Sequence, residues 1–268
     1  LTFALGIGWD NPNRSHFMAM DQWSTGKESG IGEGWLAKIS DSINNDKYLL
    51  SLGPTGSNAV EGSKVNSLHF LGKEKNSFGN SSYRNDLLLN NRKSLKTFLE
   101  IDQFSTNKII DLKKNLKKLP SNMKRPKGQL AKQTSTALQI INADSPPIFI
   151  QMELGGFDTH QNQITRQNKL LKELSENIYF LKNGAEKLNK NIELNIVVTS
   201  EFGRRLKENG SNGTDHGSAS VAFLVGDAFN EQFIGEYPDL KNLDNRGDLI
   251  PNISPSYLYD YIEKKIWG

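Results

Sequence analysis

Three short polar strings in this chain combine residue types that can do chemistry together. The first is Gly155-Gly156-Phe157-Asp158-Thr159-His160, and the second is Ser200-Glu201-Phe202-Gly203-Arg204-Arg205. The third runs from Glu208 to Gly217 and closes on Thr214-Asp215-His216-Gly217. Carboxylate plus imidazole is the donor set for Zn²⁺, Mn²⁺ or a similar divalent ion. An ion held this way lowers the pKa of a ligated water from 15.7 to about 7, or polarises a phosphoryl or sulfuryl oxygen. Asp158, His160, Glu201, Asp215 and His216 are therefore the candidate metal ligands. A single Asp-His pair is weak support, because Asp often makes turns and His often donates to a nearby carboxylate. Joint placement at strand ends is what strengthens the set. A further His, His16, follows Arg14 and Ser15 after an Asn11-Pro12-Asn13 turn. The fourth, His69, sits in the strand-like SLHFL and reads as half-buried and structural. Asp10 also follows a strand, but its NPN neighbour fits turn-making as well as ligation.

The elements around these strings explain why they should meet. Ile148 to Leu154 reads as a strand, and Gly155-Gly156 ends it. A long helix is expected from Gln161 to Asn189, with Leu171, Leu174, Ile178, Leu181, Ala185 and Leu188 as its apolar stripe. Ile192 to Thr199 is the next strand. Strand, helix and strand in this order form a βαβ unit, so the two strands are expected to be parallel neighbours. Ligands bind outside the carboxyl ends of open parallel sheets. That rule places Asp158, His160 and Glu201 on adjacent loops at one sheet edge, with the two glycines allowing a sharp turn and close backbone approach. Asp215 and His216 precede a strand at Val221 to Val225; to reach the same pocket, either this strand runs antiparallel to the others, the expected arrangement, or the loop folds back.

The remaining pattern supplies the frame. Residues 1 to 8 read as a buried strand, and Ser15 to Trp23 as a helix with Phe17, Met20 and Trp23 on one face. Gly26 to Gly34 has no Lys-Ser/Thr after it, which excludes a phosphate-binding loop. A helix is expected over Trp35 to Ile43. Residues 47 to 90 are irregular, with short strands near 48–52 and 68–71. Helical patterns return from Asp86 to Leu119 and from Gln129 to Ile141, and a last helix covers Tyr257 to Trp267. Together these give an α/β fold.

Composition narrows the function classes. The 268 residues include 33 Lys+Arg, 30 Asp+Glu, four His and no Cys. Without Cys there is no disulfide framework, no thiolate-ligated zinc or iron–sulfur site and no thiol nucleophile. Any transition-metal site must use the His and carboxylates. Lys93 to Lys132 holds eleven Lys/Arg against three Asp/Glu. Ile109, Leu112, Leu116 and Leu119 share one helical face there, while Lys113, Lys114, Lys117 and Lys118 share the other. This is the pattern of a solvated helix face, so no nucleic-acid partner is expected. No apolar run approaches the roughly 20 residues of a membrane span.

Four strings stand in one order: NPNRSHF (Asn11 to Phe17), GGFDTHQNQ (Gly155 to Gln163), TSEFGRR (Thr199 to Arg205) and ENGSNGTDHGS (Glu208 to Ser218). In these the chain resembles the bacterial family of domains of unknown function 1501, related to the alkaline-phosphatase/sulfatase-like superfamily. The resemblance implies a three-layer α/β/α sandwich with a mostly parallel central sheet, and residues 47–145 as an irregular, partly helical insertion. It implies one or more divalent ions (Zn, Mn or Ca) at the carboxyl edge and a small anionic ester as substrate. Asp158 and His160 then match one ligand pair, Glu201 a metal-binding acid, and His216 the late His with Asp215 as ligand or its partner. Arg204 is implied as the fork that meets the substrate anion. Ser15 and His16 lie in a family motif and are candidates for catalysis or substrate contact, with helix capping as the alternative role of Ser15. The resemblance assigns no nucleophile. Family members commonly open with an export signal, often twin-arginine, and an acidic Gly-rich first strand. Neither motif occurs here, so the chain is expected to be an N-terminally incomplete single domain of an exported, periplasmic protein. Asn252-Ile253-Ser254-Pro255 stands where an acidic-aromatic-Arg string is common. Two functions follow: a metal-dependent hydrolase of phosphate or sulfate esters, or a non-catalytic exported binding or scaffold protein that keeps the fold.

Overall fold

The apolar run at residues 1 to 8 forms its expected strand over Thr2–Ile7, with Leu1 exposed. In the computed structural model, which describes residues 1–43, 47–62, 67–70, 93–188 and 191–268, this strand is β1 (Thr2–Ile7). It pairs antiparallel with β8 (Ser220–Val225) and parallel with β9 (Phe233–Ile234). β5 (Ile196–Val198) adds to the far side of β8, again antiparallel, giving the order β5-β8-β1-β9. The antiparallel direction expected for strand 221–225 is thus observed.

A second sheet is wholly parallel, with β2 (Leu49–Ser51) between β3 (Ser67–His69) and β4 (Ile150–Gln151). The expected neighbours 148–154 and 192–199 are therefore split: β4 bonds to β2, and β5 bonds to β8. The regular parts of both strands are only two and three residues long. Each is matched to a more apolar partner, fully buried Leu50 in one case and Leu224 in the other. A hairpin of β6 (Gly203–Glu208) and β7 (Thr214–Gly217) completes the set. Among the described residues, parallel and antiparallel pairings are equal in number. The fold is mixed α/β.

Helices cover the sheets with the faces their sequences offer. α3 (Lys93–Asn115) and α4 (Leu130–Ile141) pack with α5 (Gln163–Leu188) over the parallel sheet. Leu112 and Leu119 are buried there while Lys114, Lys117 and Lys118 are exposed, as the spacing predicts. The part of this helical stretch before residue 93, from Asp86, lies outside the described residues. α4 and α5 also share a buried polar link: the Thr134 hydroxyl donates to Asn177 Oδ1 at 2.7 Å, and Asn177 Nδ2 donates to the Glu173 carbonyl at 2.8 Å. Every side chain such as Leu138 or Leu181 buried in this layer contributes roughly 1.5–3 kcal/mol.

The other core lies on the β1/β8 sheet. It is covered by α1 (His16–Thr25) and by α6 (Pro255–Trp267), with α2 (Trp35–Ser42) alongside. α6 starts where the Ser254 hydroxyl caps the Tyr257 amide and Pro255 fills the first turn. Tyr259 stacks on Trp35 at 4.2 Å and donates its hydroxyl to the Trp23 carbonyl, joining all three helices. α1 buries Trp23 as expected but not the rest of the expected face. Ala19, Gln22 and Trp23 are buried, whereas Phe17 is 81% and Met20 43% exposed. Among the described residues no helix is long and apolar enough to cross a membrane.

Candidate metal centre

β1 and β5 both run against β8, so their carboxyl ends and the amino end of β8 share one edge of the sheet. The chain leaves this edge after β1 and turns into α1, whose first residue is His16. It leaves again after β5 at Ser200-Glu201-Phe202, and it re-enters from β7 into β8. His216 lies on β7 opposite Arg204 of β6, so the hairpin carries both to the edge.

The segment after β4 is tied onto this hairpin. The Asn162 and Gln163 amides, two free donors at the start of α5, donate to the Ser211 and Asn212 carbonyls. Asn209 Nδ2 donates to the His160 carbonyl at 3.0 Å. Gly213 packs directly on that backbone, where a Cβ would sit 2.2 Å from the His160 carbonyl carbon. Of the two glycines before Asp158, only Gly156 needs its freedom, with φ at +100°; a Cβ on Gly155 would meet open space.

These contacts gather three imidazoles around one carboxylate. His160 Nε2 and His216 Nε2 both lie 2.9 Å from Asp158 Oδ1. His16 Nε2 lies 3.4 Å from the other oxygen, Oδ2. Each ring is held by its opposite nitrogen. His16 Nδ1 is 2.9 Å from Glu201 Oε1, His160 Nδ1 is 3.1 Å from Asp215 Oδ1, and His216 Nδ1 is 3.0 Å from the Arg14 carbonyl oxygen. Phe202 stacks on the His216 ring at 4.0 Å and leaves that side chain only 14% exposed.

The charges decide what this arrangement wants. Ionised carboxylates and a carbonyl only accept, so each Nδ1 must carry the proton. The three Nε2 atoms all face the Asp158 carboxylate, so each can donate to it when protonated or offer a lone pair to a cation when not. His160 Nε2 and His216 Nε2 are moreover 3.0 Å apart, too close for two bare lone pairs or for two N–H groups. An N–H···N hydrogen bond between the two rings satisfies this contact, and a metal ion between them would satisfy it equally. The donor atoms of His16, Asp158 and His216 all lie within 4.8 Å of one another. A tetrahedral ion with bonds of about 2.0–2.1 Å sets its ligands about 3.3 Å apart, a spacing met by the contacts of the three rings with Asp158 at 2.9–3.4 Å. Burial raises the pKa of Asp158, but hydrogen bonds from His216 and Arg204 and the charges of His160 and His216 outweigh it. The carboxyl is held well below the usual carboxylate range. Asp215 is lowered by hydrogen bonds from Asn209 and His160.

The expected site residues thus separate by position. Asp158, His160, His216 and His16 form the inner ring, while Glu201 and Asp215 stand behind His16 and His160 as their acceptors. Arg204 buttresses the carboxylate. Its Nη2 donates to Asp158 Oδ1 and to the Phe157 carbonyl, and its Nη1 donates to the Thr214 carbonyl. Ser15 is the exposed residue before α1, and its hydroxyl does not cap the helix. His69 is exposed on β3 and bonds to the Gly53 carbonyl at 2.5 Å. Asp10 faces a separate pocket with Trp9, Glu28 and Pro251.

Sequence reasoning passed over Asp248, a fully buried carboxylate paired with Arg14 and Arg205. It lies in a plain Asn-Arg-Gly-Asp turn, and nothing in that string signals burial.

A family model described as "Protein of unknown function (DUF1501)" matches residues 3–247, most of the chain. The chain belongs to the DUF1501 family. No curated protein and no solved structure matches it. In this DUF1501 chain the whole inner ring falls within the matched stretch, and Asp248 is the first residue beyond it.

Proposed function

We propose that this DUF1501 protein is a metal-dependent hydrolase of phosphate or sulfate esters, built on an alkaline-phosphatase-like three-layer fold and exported to the periplasm. The observation that carries the metal half of this reading is the set of three imidazoles, each with Nδ1 on an acceptor and Nε2 turned to Asp158. His16, His160, His216 and Asp158 would hold the ion. Three imidazole nitrogens favour Zn²⁺ or Mn²⁺ over Ca²⁺, which wants six or more oxygens. A bound divalent ion supplies Lewis acidity toward an ester oxygen and toward water. Glu201, Asp215 and the Arg14 carbonyl fix the tautomer and plane of the three rings. Arg204 keeps Asp158 ionised and aimed.

The test is metal analysis of the purified protein with Zn²⁺ or Mn²⁺, alongside turnover of chromogenic aryl phosphates and sulfates. The expected result is about one ion or more per chain and ester cleavage that D158N removes. A folded protein that takes up no metal and cleaves nothing would refute it. A non-catalytic binding role is the second reading, favoured by the engagement of both Arg204 terminal nitrogens, which leaves its fork turned away from a substrate anion. That reading predicts metal uptake without turnover.

A further inference from the structure

We propose that Asp248 is a positioning residue for the centre, acting on His216 through the backbone of Arg14. This inference rests on the metal reading of the His and Asp cluster. Asp248 has no exposed surface, and its carboxylate accepts from residues that flank the site. Oδ2 accepts from Arg14 Nη2 and, at 3.4 Å, from the Ser218 hydroxyl, while Oδ1 accepts from Arg205 Nε at 3.1 Å. The carboxylate is itself pinned by a tight turn. Asp244 Oδ1 accepts the Asp248 amide at 2.8 Å, and the Asp244 amide donates to the Asp248 carbonyl at 2.9 Å.

Two routes lead from Asp248 to the inner ring. Arg14 supplies the carbonyl that holds the proton on His216 Nδ1, and it lies two residues before His16. Arg205 follows Arg204 on β6, and successive strand residues face opposite sides. One side of β6 is therefore held by Asp158 through Arg204, and the other by Asp248 through Arg205. Removing the carboxylate frees the Arg14 side chain, and with it the carbonyl that decides which His216 nitrogen keeps a lone pair. Outer partners of this kind change metal affinity by about 10–100-fold.

The experiment compares the full chain with D248N and R14Q, using ¹⁵N-histidine labelling to read imidazole tautomers and chelator competition to read Zn²⁺ affinity. E231Q serves as the control, since it breaks a remote Glu231 pair with Lys265 and Tyr261 and touches nothing in the cluster. In the parent, His216 should keep its Nδ1 proton on the Arg14 carbonyl whether or not Zn²⁺ is bound. D248N and R14Q should mix tautomers and lose about 10–100-fold in Zn²⁺ affinity, and the double variant should lose no more than either single one. E231Q should change neither readout. The proposal is overturned if D248N, or R14Q where D248N does not fold, keeps the parent tautomer and affinity. If the parent itself takes no Zn²⁺, the metal reading falls, and the tautomer comparison alone decides the role of Asp248.

Discussion

His216 offers the sharpest test of the centre, because it touches Asp158 and both other imidazoles. Its Nε2 faces Asp158 and His160, its Nδ1 is held by the Arg14 carbonyl, and its ring lies on Phe202. Replacing it with Gln keeps a polar side chain but removes one of four donors. A ligand that binds only the folded state stabilises it by RT ln(1 + [L]/Kd), about 2.7 kcal/mol at a hundredfold excess over Kd. For a chain of this size, each kcal/mol raises Tm by roughly 2–4 °C, so saturating Zn²⁺ should add about 5–11 °C to the parent. H216Q at the same Zn²⁺ concentration should gain almost nothing over its own Tm in chelator. Three of the donors are imidazole nitrogens, whereas Ca²⁺ wants six or more oxygens, so Ca²⁺ should add little to either protein. Thermal unfolding followed by circular dichroism, with and without chelator, measures all of this. Equal Zn²⁺ gains in parent and H216Q would refute the argument that these imidazoles converge on an ion.

Asp158 and Asp215 are both held below their ordinary pKa. Their stabilisation is complete above the unfolded value of about 3.9 and drains away as pH falls through the folded ones. Below about pH 4, D158N should therefore lose stability less steeply than the parent in acid titrations followed by fluorescence; parallel curves would contradict the assigned direction. G213A should push the His160 backbone aside, cost about 1–3 kcal/mol in urea unfolding and weaken Zn²⁺ binding, because its Cβ would lie 2.2 Å from the His160 carbonyl carbon. Y259F should cost about 1–2 kcal/mol by leaving the buried Trp23 carbonyl without its donor, yet leave Zn²⁺ affinity unchanged.

The inner ring was legible because its signals are local. Asp158 and His160 follow an apolar strand and a Gly-Gly break, and His216 sits between glycines just before another apolar strand. What sequence could not reach was long-range pairing. β4 and β5 looked like one βαβ unit, but short apolar strands accept any partner of matching length, and β2 and β8 claimed them. On α1, period-3.6 reasoning turned Phe17 and Met20 inward. The helix buries the expected Trp23 but sets Ala19 and Gln22 beside it, a choice compatible with His16 reaching Asp158 from its first turn. The β6–β7 hairpin was readable in principle: Gly203–Glu208 and Thr214–Gly217 flank an Asn-Gly and Gly-rich turn. Asp248 left no local trace, since its role depends on arginines more than 40 residues away.

The fate of the arginines bears on how an anionic ester would be met. Arg14 and Arg205 are paired with Asp248, and Arg204 is paired with Asp158 and two carbonyls. Each of the three cations nearest the cluster in sequence thus neutralises a carboxylate of the protein itself. Moving any of them onto a substrate would strand Asp248 fully buried or release Asp158 from the donors that keep it ionised. On the hydrolase reading, the charge of the ester oxygens therefore has to be balanced mainly by the ion that the three imidazoles and Asp158 would hold. Substituting Arg204 should then act through Asp158: R204K should weaken Zn²⁺ affinity and turnover together, whereas an arginine that gripped the substrate would raise KM and leave Zn²⁺ affinity untouched.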